Sequence, residues 1–250
     1  MKQYKNIKQN LINFLQNEVK NSGLSSVVVG LSGGLDSAVV AVLCKEAFGK
    51  NLTCILMPSQ FSSKSSVEDS IELCEKFDIN YEIISIEPML SAYLSNMNNN
   101  TLRVGNFSAR LRMSVLYDKS FEKNSLVVGT SNRSEILLGY STIFGDTAYA
   151  INPIGNIYKS DLFDFAKFLG VTDKIIDKKP SADFYEDQSD EDDLGYSYSK
   201  IDSLLKAIYD EKQNKEELIK NGFENSFIDD ISKRVEKNRF KTELAKIAKI

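Results

Sequence analysis

Residues 27–37 read Val-Val-Val-Gly-Leu-Ser-Gly-Gly-Leu-Asp-Ser. A β-branched apolar run passes through a tight turn carrying Gly30, Gly33 and Gly34 and on into a helical pattern over residues 38–48. Such a unit confines the chain to folds in which a buried strand delivers a helix N-terminus to one end of a sheet. The turn is built like a phosphate cradle. Small residues let backbone N–H groups crowd an oxyanion, and the helix start adds partial positive charge. No Lys-Ser/Thr pair closes the run, so it is not a Walker A loop, and its glycines miss the dinucleotide spacing. Asp36 brings a carboxylate to a place meant for phosphate. That repels unless a divalent cation lies between them, so the loop implies Mg²⁺ as well as a nucleotide. A lone Gly-Gly would read more plainly as an ordinary turn; two hydroxyls and an acid around it favour the site.

Strands are expected at residues 26–31, 52–57, 81–85 and 125–129, and helices at 4–21, 38–48, 65–77, 88–97, 105–121 and 160–169. Alternation at this spacing means an α/β fold: an open, mostly parallel, doubly wound sheet with helices on both faces. Residues 138–156 read as a glycine- and aromatic-rich loop, residues 177–198 as a mobile loop, and residues 199–250 as three helices. The 250 residues make a single domain whose nucleotide-binding core spans 22–175.

Several function classes are excluded. A formal net charge of −4 disfavours a non-specific nucleic-acid binder. The polar, lysine-rich start carries no signal peptide and no apolar run reaches membrane-spanning length, so no membrane partner is expected. Cys44, Cys54 and Cys74 are isolated in apolar contexts and read as buried free thiols of a reducing cytoplasm. The chain has no histidine, which removes Ser-His-Asp and Cys-His catalysis and His-based zinc sites. Phosphoryl and adenylyl transfer tolerate that, because charge stabilisation dominates there.

In open α/β sheets, ligands bind beyond the carboxyl ends of the strands where strand order reverses. The first strand ends at the Ser32 turn and the fourth at Gly129-Thr130-Ser131-Asn132-Arg133-Ser134-Glu135. If these strands are neighbours, Asp36 and Glu135 reach one Mg²⁺ and Thr130 bonds the nucleotide. On spacing alone, Glu135 reads equally well as a first-turn helix acid.

The Ser-Gly-Gly-x-Asp-Ser turn after a buried strand resembles the pyrophosphate loop of the N-type ATP pyrophosphatases, of adenine nucleotide alpha hydrolase-like fold. Those enzymes cleave ATP between the α and β phosphates and leave an adenylylated substrate. Further segments, in order along most of the chain, resemble one branch, the NAD synthetases. They are Gly105-Asn106-x-x-Ala109-Arg110-x-Arg112-Met113, the run from Gly129 to Glu135 followed by Gly139-Tyr140, and Phe144-Gly145-Asp146. Asn152-Pro153-Ile154-x-x-x-Tyr158-Lys159, Lys178-Lys179-Pro180-Ser181-Ala182-Asp183 and Gln188-x-Asp190-Glu191-x-x-Leu194-Gly195 continue the series.

The resemblance implies roles. Gly30, Leu31, Ser32, Gly33, Gly34, Leu35, Asp36 and Ser37 would bind ATP with Thr130, Lys159 and Ser181, and Asp36 and Glu135 would hold Mg²⁺. Arg110, Asp146, Phe240 and Lys241 would bind deamido-NAD, with Asp146 and Lys159 the catalytic groups. Ile143 stands where many relatives have a lysine, Ala150 where many have an aspartate, and Glu243-Leu244-Ala245 replaces the usual Pro-Pro. The expected reaction joins deamido-NAD, ATP and ammonia into NAD, AMP and pyrophosphate. Only about 25 residues precede the loop, far below domain size, so free ammonia or a separate donor is expected rather than a glutaminase unit. A homodimer is expected through the helix bearing Phe107, Leu111, Val115 and Leu116, an apolar stripe that equally suits packing on the sheet. Two other readings stand beside this one: another adenylating enzyme such as a tRNA lysidine or thiolation enzyme, and a nucleotide-binding module without catalysis.

Overall fold

The computed structural model describes residues 2–95, 100–181, 189–243 and 247–248. Helix α1 (Lys2–Asn21) leads into β1 (Ser26–Gly30), followed by α2 (Leu35–Phe48), β2 (Leu52–Leu56), α3 (Lys64–Lys76) and β3 (Asn80–Ile83). Next come α4 (Glu87–Leu94), α5 (Thr101–Glu122), β4 (Ser125–Val128) and α6 (Arg133–Leu138). The series continues with α7 (Lys159–Leu169), α8 (Asp173–Ile176), α9 (Asp190–Leu194), α10 (Tyr198–Tyr209), α11 (Lys215–Lys220) and α12 (Asn225–Asn238). A 3-10 turn, Arg239–Thr242, follows.

The four strands pair in parallel in the order β3-β2-β1-β4. Valines 27 to 29 of β1 have no exposed surface, as a central strand covered on both faces requires. Strands β1, β2 and β3 run outward to one side, and β4 returns to the other side of β1, in register Val29↔Val128. Strand order therefore reverses between β1 and β4, the place where the sequence reading put the two facing turns.

One face of the sheet is closed by α1, α2, α3, α7 and α8 in a single apolar core. Helix α2 is buried along most of its length, which explains its lack of a polar face. The other face carries α5, whose Leu111, Val115 and Leu116 pack against Ile55, Met57 and Ile86. Three of the four residues expected to pair subunits are thus used within the chain, and Phe107 stacks on Tyr93 with ring centroids 4.1 Å apart. A separate core, built from α10, α11 and α12 with Leu138 and Tyr158, holds the C-terminal helices against α6 and the start of α7. Cys44, Cys54 and Cys74 are buried and free.

The structure departs from the sequence reading at element ends. Helix α2 begins at Leu35 because Gly34 is extended at its N-cap and the Ala38 N–H reaches Gly34 O at 3.1 Å. Leu35, Asp36 and Ser37 therefore form its first turn. Helix α5 begins at Thr101, with the Asn100 side chain accepting the Arg103 N–H. Inside the expected 138–156 loop, Ile151 bridges Val128 in parallel and lengthens the sheet beside the site. Within the expected 177–198 loop, Asp190–Leu194 is helical and Asp190 is buried. Residues 182–188, with Ala182, Asp183 and Gln188, lie outside the described residues, as do residues 96–99 at the end of the expected 88–97 helix, and Leu244 and Ala245.

Candidate active site

A cavity of about 860 Å³ opens at the carboxyl ends of β1 and β4. The glycine-rich turn forms one wall. Its shape is set by its own serines: Ser37 Oγ donates to Gly34 O at 3.0 Å and accepts the Ser32 N–H at 3.2 Å, and Gly34 N–H reaches Ser32 Oγ at 3.3 Å. Gly33 has φ +79°, and a Cβ there would stand 2.2 Å from Ser66 O at the start of α3. Only glycine permits that approach. Asp36 sits in the first turn of α2, where the helix dipole favours a negative charge.

The opposite wall comes from the turn after β4. Asn132 and Glu135 form a capping box on α6: Asn132 Oδ1 accepts the Glu135 N–H at 3.0 Å, and Glu135 Oε2 accepts the Asn132 N–H at 3.1 Å. Glu135 is therefore a first-turn acid and also a wall of the cavity. The Asn132 side chain crosses between the walls, Nδ2 donating to Asp36 Oδ1 at 2.9 Å. Gly129 is closed over by Tyr149, whose ring leaves no room for a Cβ.

Lys159, the first residue of α7, is 3% exposed and its ammonium donates to Asp36 Oδ2. Burial works against this cation, but the charges of Asp36 and Glu135 outweigh it and hold its pKa above the ordinary lysine range. Burial, reinforced by the Asp36 charge, raises the Glu135 carboxyl well above its usual value. Asp190 joins them. It accepts from Tyr140 Oη at 3.2 Å and Tyr198 Oη at 3.3 Å, and burial raises its pKa too. Three carboxylates thus act on one another around one buried ammonium. Such an excess of negative charge suits a further cation. Mg²⁺ takes one or two carboxylates and completes its shell with phosphate oxygens and water. Asp36 and Glu135 fit that donor set, while among the described residues no group of three or more acids or thiols forms an all-protein metal cage.

Most of the expected site residues converge here. Gly30, Leu31, Ser32, Gly34, Leu35, Asp36, Ser37, Thr130, Glu135, Lys159 and Ser181 line the cavity, and Gly33 supports the turn from behind. Asp146 and Lys241 line it as well. Asp146 is exposed to the cavity yet crowded by protein; that crowding raises its pKa, and its carboxylate accepts the Thr142 N–H at 2.6 Å. Lys241 donates to Gly139 O at 2.7 Å and Ser141 O at 2.9 Å, so it ties the end of α6 to the following loop. Two expected residues are not brought in. Arg110 faces a second hollow of about 410 Å³ between α4 and α5 and donates to Ile143 O at 3.2 Å. Phe240 is 54% exposed and lies off the cavity wall. Asn132, Tyr140, Asp190 and Tyr198 were not singled out as site groups. The Asn-x-x-Glu spacing of a capping box was the visible signal for Asn132; Tyr140 and Asp190 stood inside the family-like segments without an assigned role, and no local pattern marks Tyr198.

A model of the NAD synthase family matches residues 7–245. A Wolinella succinogenes protein named NH(3)-dependent NAD(+) synthetase is 51% identical over 241 residues, covering 96% of this chain and 94% of that one. A protein of the same name from Campylobacter jejuni subsp. doylei is 49% identical over 248 residues, covering 99% of each. Among solved structures, the Campylobacter jejuni NH3-dependent NAD synthetase in complex with nitrate superposes with TM-score 0.85 at 42% identity, covering 98% of this chain and 99% of that one. An NMN synthetase from Francisella tularensis superposes with TM-score 0.89 at 34% identity, covering 99% of each. With the family model spanning nearly all of its residues and relatives near half-identical along its whole length, the chain belongs to the NAD synthase family.

Proposed function

We propose that the chain is a ligase that forms NAD from deamido-NAD, ATP and ammonia, releasing AMP and pyrophosphate through an adenylylated intermediate. The observation that carries this reading is the buried Asp36–Lys159 pair, with Glu135 beside it, at the point where strand order reverses. The turn from Gly30 to Ser37 holds the ATP phosphates, aided by Thr130, Lys159 and Ser181. Mg²⁺, held by Asp36 and Glu135, would neutralise phosphate charge.

The nicotinate carboxylate of the substrate is already a nucleophile, so attack on the α-phosphorus needs no general base. This agrees with a chain lacking histidine. As pyrophosphate departs, the backbone N–H groups of the turn and the Lys159 ammonium take up its charge as fixed donors. Asp146 orients the incoming ammonium or accepts its proton. Lys241 serves the deamido-NAD end; Arg110 and Phe240, which stand outside the main cavity, reach deamido-NAD only where it extends beyond the cavity wall.

The protein works as a homodimer in the cytoplasm. Met89, Tyr93, Leu102, Tyr117 and Phe121 on α4 and α5 are exposed apolar side chains that a second copy would cover. Among the described residues no helix is long and apolar enough to cross a membrane. The test is NAD formation, coupled to a dehydrogenase, in ATP, Mg²⁺, ammonium and deamido-NAD, with the deamido form of NMN as the competing substrate. Turnover of that competitor alone would reject deamido-NAD, and ATP binding without turnover would reject catalysis. Asp36→Ala should abolish AMP release; full activity in that variant would reject the site.

A further inference from the structure

Helix α7 has an unusual start. Its N-cap residue is Tyr158, whose side chain makes no cap bond. The first N–H groups of a helix need acceptors, and here they come from two other helices. The Lys159 N–H donates to Ser134 Oγ on α6 at 2.9 Å, and the Ser160 N–H donates to Asp202 Oδ2 on α10 at 2.8 Å. Ser134 Oγ in turn donates to Asp202 Oδ1 at 2.5 Å. Asp202 is 1% exposed and lies off the cavity wall. A serine at position 158 would satisfy one of these donors locally, without burying a charge. The arrangement does more than a local cap can.

Both residues that Asp202 grips stand next to site groups. Ser160 follows Lys159, and Ser134 precedes Glu135. We propose that Asp202 is a positioning residue, a buried carboxylate that locks the first turns of α6 and α7 together so that Glu135 and the Lys159 ammonium both meet Asp36. It also gives the C-terminal helices a part in catalysis, since α10 holds the clamp. The inference rests on the proposed adenylylation for its kinetic readout and on geometry alone for its structural one.

The test compares Asp202→Ala and Asp202→Asn with wild type in the full chain. Asparagine can keep Oδ1 on the Ser160 N–H and turn Nδ2 to Ser134 Oγ. Misplacing a group by about 1 Å costs on the order of 10²-fold in rate. Per folded molecule, kcat should therefore fall on the order of 10²-fold in the alanine variant, with KM for ATP changed much less, and recover to within several-fold in asparagine. Amide hydrogen exchange at Lys159 and Ser160 should speed up in alanine and stay near wild type in asparagine. An unchanged kcat in folded Asp202→Ala, equal losses in both variants, or unchanged exchange at those amides would overturn the clamp. If the alanine variant does not fold, Ser134→Ala replaces it and must show the same loss of kcat and faster exchange at Lys159. If wild type makes no NAD, the proposed activity fails, and the exchange measurement decides the clamp by itself.

Discussion

Lys159→Met isolates the charge at the centre of the site while keeping an unbranched side chain, one atom shorter. The Lys159 and Asp36 side chains are 4% and 15% exposed, so the pair is well removed from water. Removing one member of a buried pair costs about 3–5 kcal/mol, because the other charge is left uncompensated. Asp36 keeps its bond from Asn132 Nδ2, which argues for the lower end, about 3 kcal/mol. The position of the ammonium 5.6 Å from the centre of the Tyr198 ring adds only a fraction of that. With a urea slope of about 2 kcal/mol/M, the unfolding midpoint should drop by about 1.5 M near neutral pH.

The pH dependence has a definite sign. Glu135 and Asp190 are raised, so each binds its proton more tightly folded than unfolded. Each favours the folded state at acid pH, and that contribution is lost as pH rises through its folded value. Lys159 is also raised; its contribution is complete below the ordinary lysine range and lost only as pH rises through its folded value. Deleting the ammonium removes the second contribution and drives the carboxylates further up. The deficit of Lys159→Met should therefore shrink as pH falls from about 7.5 to about 5.5. Urea titrations followed by circular dichroism at both pH values measure it. A variant as stable as wild type at the higher pH, or a deficit that grows on acidification, would refute the charge reasoning.

Two further outcomes follow from the geometry. Gly33→Ala must adopt φ +79° and push against Ser66 O, so it should lose about 1–2 kcal/mol from the backbone alone and weaken ATP binding, as calorimetry would register; wild-type affinity and melting temperature would show that the turn does not need glycine there. Light scattering should report twice the 28.1 kDa chain mass, and Phe121→Lys, at a side chain 92% exposed, should lower it; a monomeric wild type would end the dimer proposal.

The sequence by itself determined the βα alternation and the glycine-rich turn, and most of the site residues it pointed to do meet in the cavity. These are local or motif-borne signals: period-2 and period-3.6 apolar spacing, glycines where backbone must crowd, and acids beside hydroxyls. Whether Glu135 was a helix-cap acid or a cavity acid was open on spacing, and the fold made it both, because β4 pairs beside β1 and brings the capping box against Asp36. Only tertiary structure decided that Arg110 and Phe240 stand outside the main cavity, and that Asp190, Tyr140 and Tyr198 stand around Lys159. Only it could show that Asp202, 68 residues from Ser134, closes the start of α7. Strand order, helix docking and remote caps depend on contacts between segments far apart in the chain. No local pattern encodes such contacts, because each half of the contact is an unremarkable residue until the fold supplies the other.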